Sequence, residues 1–303
     1  MAGSDRLEPA VDERKLRIRA ADGYELGAIL YSVPTEAAPP RAAVLHGGGG
    51  IPALSYRRFA RFLARSGIPV LTYDFRGIGL SRPPALRGFQ AVIEDWAEHD
   101  CSAAIGWLRE RFPRTELIGI AHSVAALLFG GAHNTAEQAR MILIGAHTGY
   151  YGDYLLRYRL PMAMLWHGLM PALTRLVGYF PARRLGLGDD MPAGVALQWA
   201  ARHSPDLRPA GASPAAERTR RLLDRCAALD RPALVIRISD DAFATAEGTR
   251  RLLAYYPRLS PQHLLFTPAD AGVRKIGHFG FFSRRAGLAL WPRLVAWLRP
   301  PDS

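Results

Sequence analysis

Short apolar runs alternate with stretches of helical spacing along most of this chain. Lys15 to Ala20 and Glu25 to Val33 alternate in polarity about Asp22-Gly23, which predicts a β-hairpin. Ala42 to Leu45 is continuously apolar and runs into His46-Gly47-Gly48-Gly49-Gly50, the pattern of a buried parallel strand entering a flexible loop. Tyr56 to Ser66 has helical spacing through Phe59, Phe62 and Leu63 and stops at Gly67. Strands are expected at Pro69 to Tyr73, Glu116 to Ala121 and Arg140 to Ala146, with helices at Ala91 to Arg111 and Val124 to Ala132 between them.

The alternation then stops. Residues 150–215 are rich in Tyr, Trp, Leu, Met, Pro and Arg, with helical spacing in pieces and no strand signal. It resumes with a helix from Ala216 to Ala228, a strand from Ala233 to Ser239, a helix from Ala246 to Tyr256, a strand from His263 to Phe266 and a last helix from about Gly287 to Leu298. Eight short strands interleaved with amphipathic helices predict an α/β fold, a mostly parallel sheet covered on both faces. A helical insertion after the sixth strand would lie over the carboxyl edge of that sheet, where ligands bind. The expected division is a core of residues 15–149 and 216–300, with residues 150–215 as a helical lid.

Composition narrows the function classes. A 49% hydrophobic content over 303 residues suits one large globular domain with an insertion. The net charge of +12 comes from scattered arginines such as Arg57-Arg58, Arg183-Arg184, Arg220-Arg221 and Arg284-Arg285. No clustered basic stripe with interleaved aromatics appears, so no nucleic-acid partner is expected. Cys101 and Cys226 both fall in amphipathic helices and read as buried thiols of a cytoplasmic protein rather than a disulfide. Met1 to Arg14 is charged and lacks the apolar core of a secretory signal. The most apolar stretch, Leu160 to Leu173, is too short to span a bilayer and carries Pro161, Pro171 and His167.

The chemistry centres on Glu116-Leu117-Ile118-Gly119-Ile120-Ala121-His122-Ser123-Val124-Ala125-Ala126, an apolar run broken by one hydroxyl between small residues. A strand turning sharply into a helix presents a nucleophile at the bend, and the positions two before and two after must be small for strand and helix to pack. The free N–H groups of the following helix favour negative charge there. Such a serine needs a base and an orienting acid, and candidates follow it in the order Asp241 (acid), His278 (base). Other cofactor-bearing motifs are missing. No Lys follows the glycines at 47–50 as a phosphate-cradling loop requires, and the third glycine of a dinucleotide fingerprint begun at Gly77-Ile78-Gly79 would fall on Arg82. The histidines show no metal-ligand spacing, so no cofactor is expected.

Taken together, Leu45-His46-Gly47-Gly48, Asp74-Phe75-Arg76-Gly77-Ile78-Gly79-Leu80-Ser81, Ala121-His122-Ser123-Val124-Ala125, and Ser239-Asp240-Asp241 with Gly277-His278-Phe279 resemble the α/β-hydrolase superfamily in the correct order. The resemblance runs from about Lys15 to the C-terminus. The stretches Gly178 to Gly188 and Ile276 to Phe282 are similar to bacterial serine-aminopeptidase-like and monoacylglycerol-lipase-like hydrolases. That group usually carries glycines where Ala121 and Ala125 flank the elbow here, so presentation of the serine is the feature at stake.

The resemblance implies a serine hydrolase acting on an ester or related acyl compound, with Ser123 as nucleophile, His278 as general base and Asp241 as the orienting acid. Asp240 competes for that role, and Asp153, after the sixth strand, is a more distant candidate. Amide or thioester cleavage or acyl transfer on the same triad, and a non-catalytic binding protein, are the alternatives. Gly48 and Val124 are the expected oxyanion donors. His46, Gly47, Tyr150 and Trp166 are expected beside an apolar small-molecule substrate. The insertion's aromatics could equally form a homodimer face or only the lid's own core.

Overall fold

The turn at Asp22-Gly23, with Gly23 at φ 86°, closes β1 (Asp12–Arg19) onto β2 (Glu25–Ser32) as an antiparallel hairpin. A computed structural model of the chain describes residues 9–299. The first eight residues of the stretch read as no secretory signal, and residue 300 of the expected core, lie outside the described residues. Six further strands join the hairpin: β3 (Arg41–His46), β4 (Val70–Tyr73), β5 (Glu116–His122), β6 (Gln138–Ile144), β7 (Ala233–Ile238) and β8 (Gln262–Phe266). They form one sheet in the order β1-β2-β4-β3-β5-β6-β7-β8. Pairing is antiparallel from β1 through β2 to β4 and parallel at every other neighbour. The expected eight-stranded, mostly parallel α/β sheet is what the chain forms.

The helices are α1 (Arg57–Arg65), α2 (residues 93–111), α3 (Ala125–Leu128), α4 (residues 156–177), α5 (Ala193–Ala200), α6 (Pro214–Ala228), α7 (Ala246–Leu253), α8 (Gly277–Gly280) and α9 (Arg284–Leu298). One face of the sheet is covered by α1 and α9 through Phe59, Leu63, Leu290, Trp291 and Leu294. The other is covered by α2, α3 and α6 through Trp96, Ile105, Leu128, Leu222 and Cys226. Strands buried on both sides read as unbroken apolar runs, which is why they were visible without alternation.

Several boundaries differ from expectation for local reasons. The helix after the elbow gives way at Phe129–Gly131 to a tighter turn, because Gly130 and Gly131 let the Tyr256 hydroxyl and Leu222 press where side chains would stand. α6 starts two residues early at Pro214, capped by the Ser213 hydroxyl accepting the Ala216 N–H at 3.2 Å. α9 starts at Arg284 behind the same kind of cap from Ser283. The segment expected to hold no strand forms a two-residue ribbon, Tyr179–Phe180 against Met191–Pro192. Cys101 and Cys226 are buried and unpaired. No helix among the described residues is long and apolar enough to cross a membrane.

Two buried carboxylates fix the loops at the carboxyl edge. Asp74 accepts the N–H of Ala53 at 2.6 Å and of Leu80 at 2.7 Å, tying the loop after β3 to the loop after β4. Asp100, fully buried, accepts both the backbone N–H and Nε of Arg76 at 2.8 Å. The Arg76 guanidinium continues to Asp22 in the hairpin turn. It is nearly inaccessible, so losing Asp100 would leave a buried cation with one partner. Asp100→Ala should cost about 3 kcal/mol of unfolding free energy, read by urea denaturation.

Candidate active site

β5 runs into the protein buried along its length and ends one residue before Ser123. Ser123 has φ 60°, alone among described non-glycine residues in the left-handed region. That conformation swings its side chain out at the top of the sheet. The Ser123 N–H donates to the Ile144 carbonyl at 3.0 Å, and its own carbonyl accepts the Ala126 N–H at 3.2 Å as α3 begins. Ala121 and Ala125 are both fully buried beside the bend, so their methyls are accommodated in the packing of strand against helix.

Three of the expected residues meet here. Ser123 Oγ lies 3.0 Å from His278 Nε2, and His278 Nδ1 lies 2.7 Å from Asp241 Oδ2. The other carboxylate oxygen of Asp241 accepts the N–H groups of Phe243 at 2.8 Å and Ala244 at 3.0 Å. Burial works to raise the Asp241 carboxyl, but His278 and these N–H donors outweigh it and hold it down at about 2. Asp240 instead accepts the N–H of Ile276 at 3.0 Å and Gly277 at 2.9 Å, fixing the turn that carries His278. Asp153 is held by Arg251 at 2.7 and 3.0 Å, away from the histidine.

A fourth side chain was not anticipated. His147 Nε2 lies 3.0 Å from Ser123 Oγ, on a turn just beyond β6. Its Nδ1 accepts the Gly149 N–H at 2.9 Å, so the ring hydrogen sits on Nε2 and points at the serine oxygen. Gly149, at φ 85°, makes that turn possible, and a Cβ there would stand 2.7 Å from the Trp199 ring. The sequence signal is a lone histidine at the carboxyl end of a parallel strand between two glycines, Gly145 and Gly149.

Val124 and Trp166 line the cavity over Ser123, but Gly48, His46, Gly47 and Tyr150 stand elsewhere than expected. The Gly48 N–H is not free, because it donates to the Tyr56 hydroxyl at 2.7 Å. That hydroxyl lies 2.9 Å from His122 Nδ1, and His122 Nε2 donates to the His278 carbonyl at 3.1 Å. His122 is therefore a neutral support that receives the Tyr56 hydrogen. The Val124 and Gly49 N–H groups donate to no protein acceptor among the described residues. His46 is fully buried, stacked on Phe129 and 2.8 Å from the Tyr73 hydroxyl, so it faces the core rather than a ligand. Gly47 is buried against the Tyr56 ring. Tyr150 packs at a tilt against Tyr151 beneath the Arg251 guanidinium, outside the cavity wall.

A cavity of about 380 Å³ opens over Ser123. Trp166, Met162 and Leu165 of α4, Trp199 of α5, Phe180, Met191 and Phe243 give it apolar walls, and Gly49, Val124, His147 and His278 form its floor. Most of those walls come from the segment between β6 and α6. Asp189 also reaches the wall, but its carboxylate is already held by Arg82, Arg183 and the N–H groups of Gly79 and Asp190.

Residues 38–262 match a family described as serine aminopeptidase, S33. No curated protein matches the chain. Among solved structures, an esterase from Pyrococcus furiosus is similar with a TM-score of 0.59 at 13% identity, covering 99% of this chain and 100% of that one. DcsB, solved with a substrate analogue, has a TM-score of 0.63 at 13% identity, covering 95% and 98%. A puromycin hydrolase has a TM-score of 0.55 at 16% identity over 98% of this chain, which spans 40% of that longer one. These likenesses establish the fold.

Three buried imidazoles weaken the fold as pH falls, opposed in part by Asp74 and Asp100, whose carboxyls burial pushes up to about 6 and about 7. Burial pushes His46 and His147 down to about 3 and His122 well below its ordinary value, with His278 adding to the latter two. Each is protonated below about pH 6.5 in the unfolded chain but not in the folded one, so stability is fullest above that pH and falls as pH drops towards 3. The expected slope between pH 6 and pH 4.5 is about 1.4 kcal/mol per pH unit for each histidine. Urea denaturation across this range checks it, and His46→Gln should make the dependence shallower by one proton.

Proposed function

The chain belongs to the serine aminopeptidase S33 family of α/β-hydrolases, and from that premise we propose that it cleaves a carboxylic ester or related acyl compound through an acyl-enzyme. The observation that carries this reading is the unbroken run of contacts from Ser123 Oγ through His278 to Asp241. His278 Nε2 takes the hydroxyl proton as Oγ bonds to the carbonyl carbon, and returns it to the departing alcohol. Asp241 holds the ring with its hydrogen on Nδ1 and stabilises the imidazolium that forms. Water then enters by the same route, giving its proton to His278 and releasing the acid.

The oxyanion is received by the Val124 N–H at the start of α3 and by the Gly49 N–H, two cavity-floor donors without protein acceptors among the described residues. Residues 150–215 serve as the lid, and Trp166 and its apolar neighbours receive the acyl chain while excluding water. An aminopeptidase reading would need a free carboxylate to hold the substrate's ammonium. Asp189, the acidic residue in the cavity lining, and Asp241 of the triad are both committed to other partners. An uncharged acyl group fits these walls better.

Two experiments test this. Ser123→Ala should abolish hydrolysis of p-nitrophenyl esters and labelling by a fluorophosphonate, with an unchanged unfolding midpoint. Turnover surviving in that folded variant would end the proposal. Trp166→Ala should raise KM about tenfold for a hexanoyl ester and leave the acetyl ester within about twofold, because only the longer chain reaches the indole.

A further inference from the structure

Ser123 Oγ sits between two imidazoles that do different things to it. In the neutral state of the site it donates its hydrogen to His278 Nε2, at 3.0 Å. It simultaneously accepts the hydrogen on His147 Nε2, also at 3.0 Å. The second arrangement is fixed from behind. The Gly149 N–H at 2.9 Å holds Nδ1 of His147 as an acceptor, and the Thr249 hydroxyl binds the Ala146 carbonyl at 3.0 Å, anchoring the turn. Tyr154 packs edge-on against the ring. His147 is 4% exposed and lines the cavity, so its N–H is aimed at the reacting oxygen from inside the site.

We propose that His147 is a second catalytic histidine that acts as a fixed hydrogen-bond donor to Oγ and speeds release of the acyl group rather than its capture. The inference rests on Ser123 carrying the acyl group. During capture, Oγ passes from a hydroxyl, a good acceptor, to an ester oxygen whose lone pair is delocalised, so the His147 bond weakens. During release the order is reversed. Water gives a proton to His278 and bonds to the acyl carbon, and the C–Oγ bond breaks with its electron pair going to Oγ. Oγ then takes the proton back from His278. Negative charge builds on Oγ in that last step, and a donor already in place stabilises it where the ester received little. His147 keeps its own hydrogen throughout. Burial holds its conjugate acid at about 3, so it stays a neutral donor over the working pH range.

The test separates the two half-reactions. Wild type, His147→Leu and His147→Gln are mixed with p-nitrophenyl hexanoate in stopped flow, and the acyl-enzyme is weighed by intact mass spectrometry. Fluorophosphonate labelling follows the serine's reactivity alone. The Leu variant should be labelled within about twofold of the wild-type rate. It should release one p-nitrophenol per enzyme in a burst, then turn over about 10- to 100-fold more slowly, with the acyl adduct on Ser123. The Gln variant keeps an N–H near the same position and should recover most of the loss. A parallel fall in burst rate and labelling would make His147 a group for acyl capture and overturn the proposal, as would unchanged turnover. Failure of the wild type itself to be labelled would instead defeat the serine hydrolase reading.

Discussion

The site hangs on one strained residue. Ser123 holds φ 60°, a conformation that costs a residue with a Cβ about 1–2 kcal/mol, and the fold holds it there from both sides. Its N–H is bound to β6 through Ile144, while its carbonyl starts α3. The bend leaves room for a methyl at 121 and at 125, so glycine is dispensable at both positions in this packing. With the serine oxygen fixed, every other group is placed by the end of a parallel strand: His147 beyond β6, Asp241 beyond β7 and His278 beyond β8. A parallel sheet gathers the ends of distant strands along one edge, and residues far apart in sequence meet there.

Much of this was legible from the chain. The parallel strands are buried on both faces and appear as short apolar runs, so the eight-stranded sheet could be read directly. The elbow serine stood out as one hydroxyl between small residues in an apolar run, and the acid and base through their order after it and the resemblance to the α/β-hydrolase superfamily. Asp240 and Asp241 could not be separated by type, since both follow β7 and both are hydrogen bonded. The resemblance favoured Asp241, and in the fold Asp241 lies on the imidazole and Asp240 on the backbone that carries it.

What escaped reading depends on loop geometry. Gly48 sits in the expected register, yet its N–H is taken by Tyr56, eight residues on at the start of α1. Nothing in the spacing of Tyr56 distinguishes a core tyrosine from one that binds a backbone donor. His147 carried only its place between two glycines at the end of a strand as a signal, because its contact with Ser123 exists only once Gly149 turns the chain. In the insertion, aromatic residues at helical spacing serve both a local core and a cavity wall. Trp166, inside α4, lines the cavity, and Tyr150, in the loop before it, does not.

Three imidazoles cluster at the serine, with His278 4.8 Å from His122 and 5.3 Å from His147 between ring centres. Three interchangeable bases so close would repel once protonated and leave the direction of proton flow undefined. Backbone partners remove that ambiguity. His122 must give its Nε2 hydrogen to a carbonyl, which can never donate, and its Nδ1 receives Tyr56. His147 must keep Nδ1 open to an amide N–H, which can never accept. Adding a proton to either ring would break or reverse a buried hydrogen bond. His278 faces a cavity-side hydroxyl, which can accept as well as donate, and a carboxylate that meets the added charge, so a proton gained there reverses only the bond to the serine that supplied it. The division of roles among chemically identical side chains is thus written in what the main chain offers each of them.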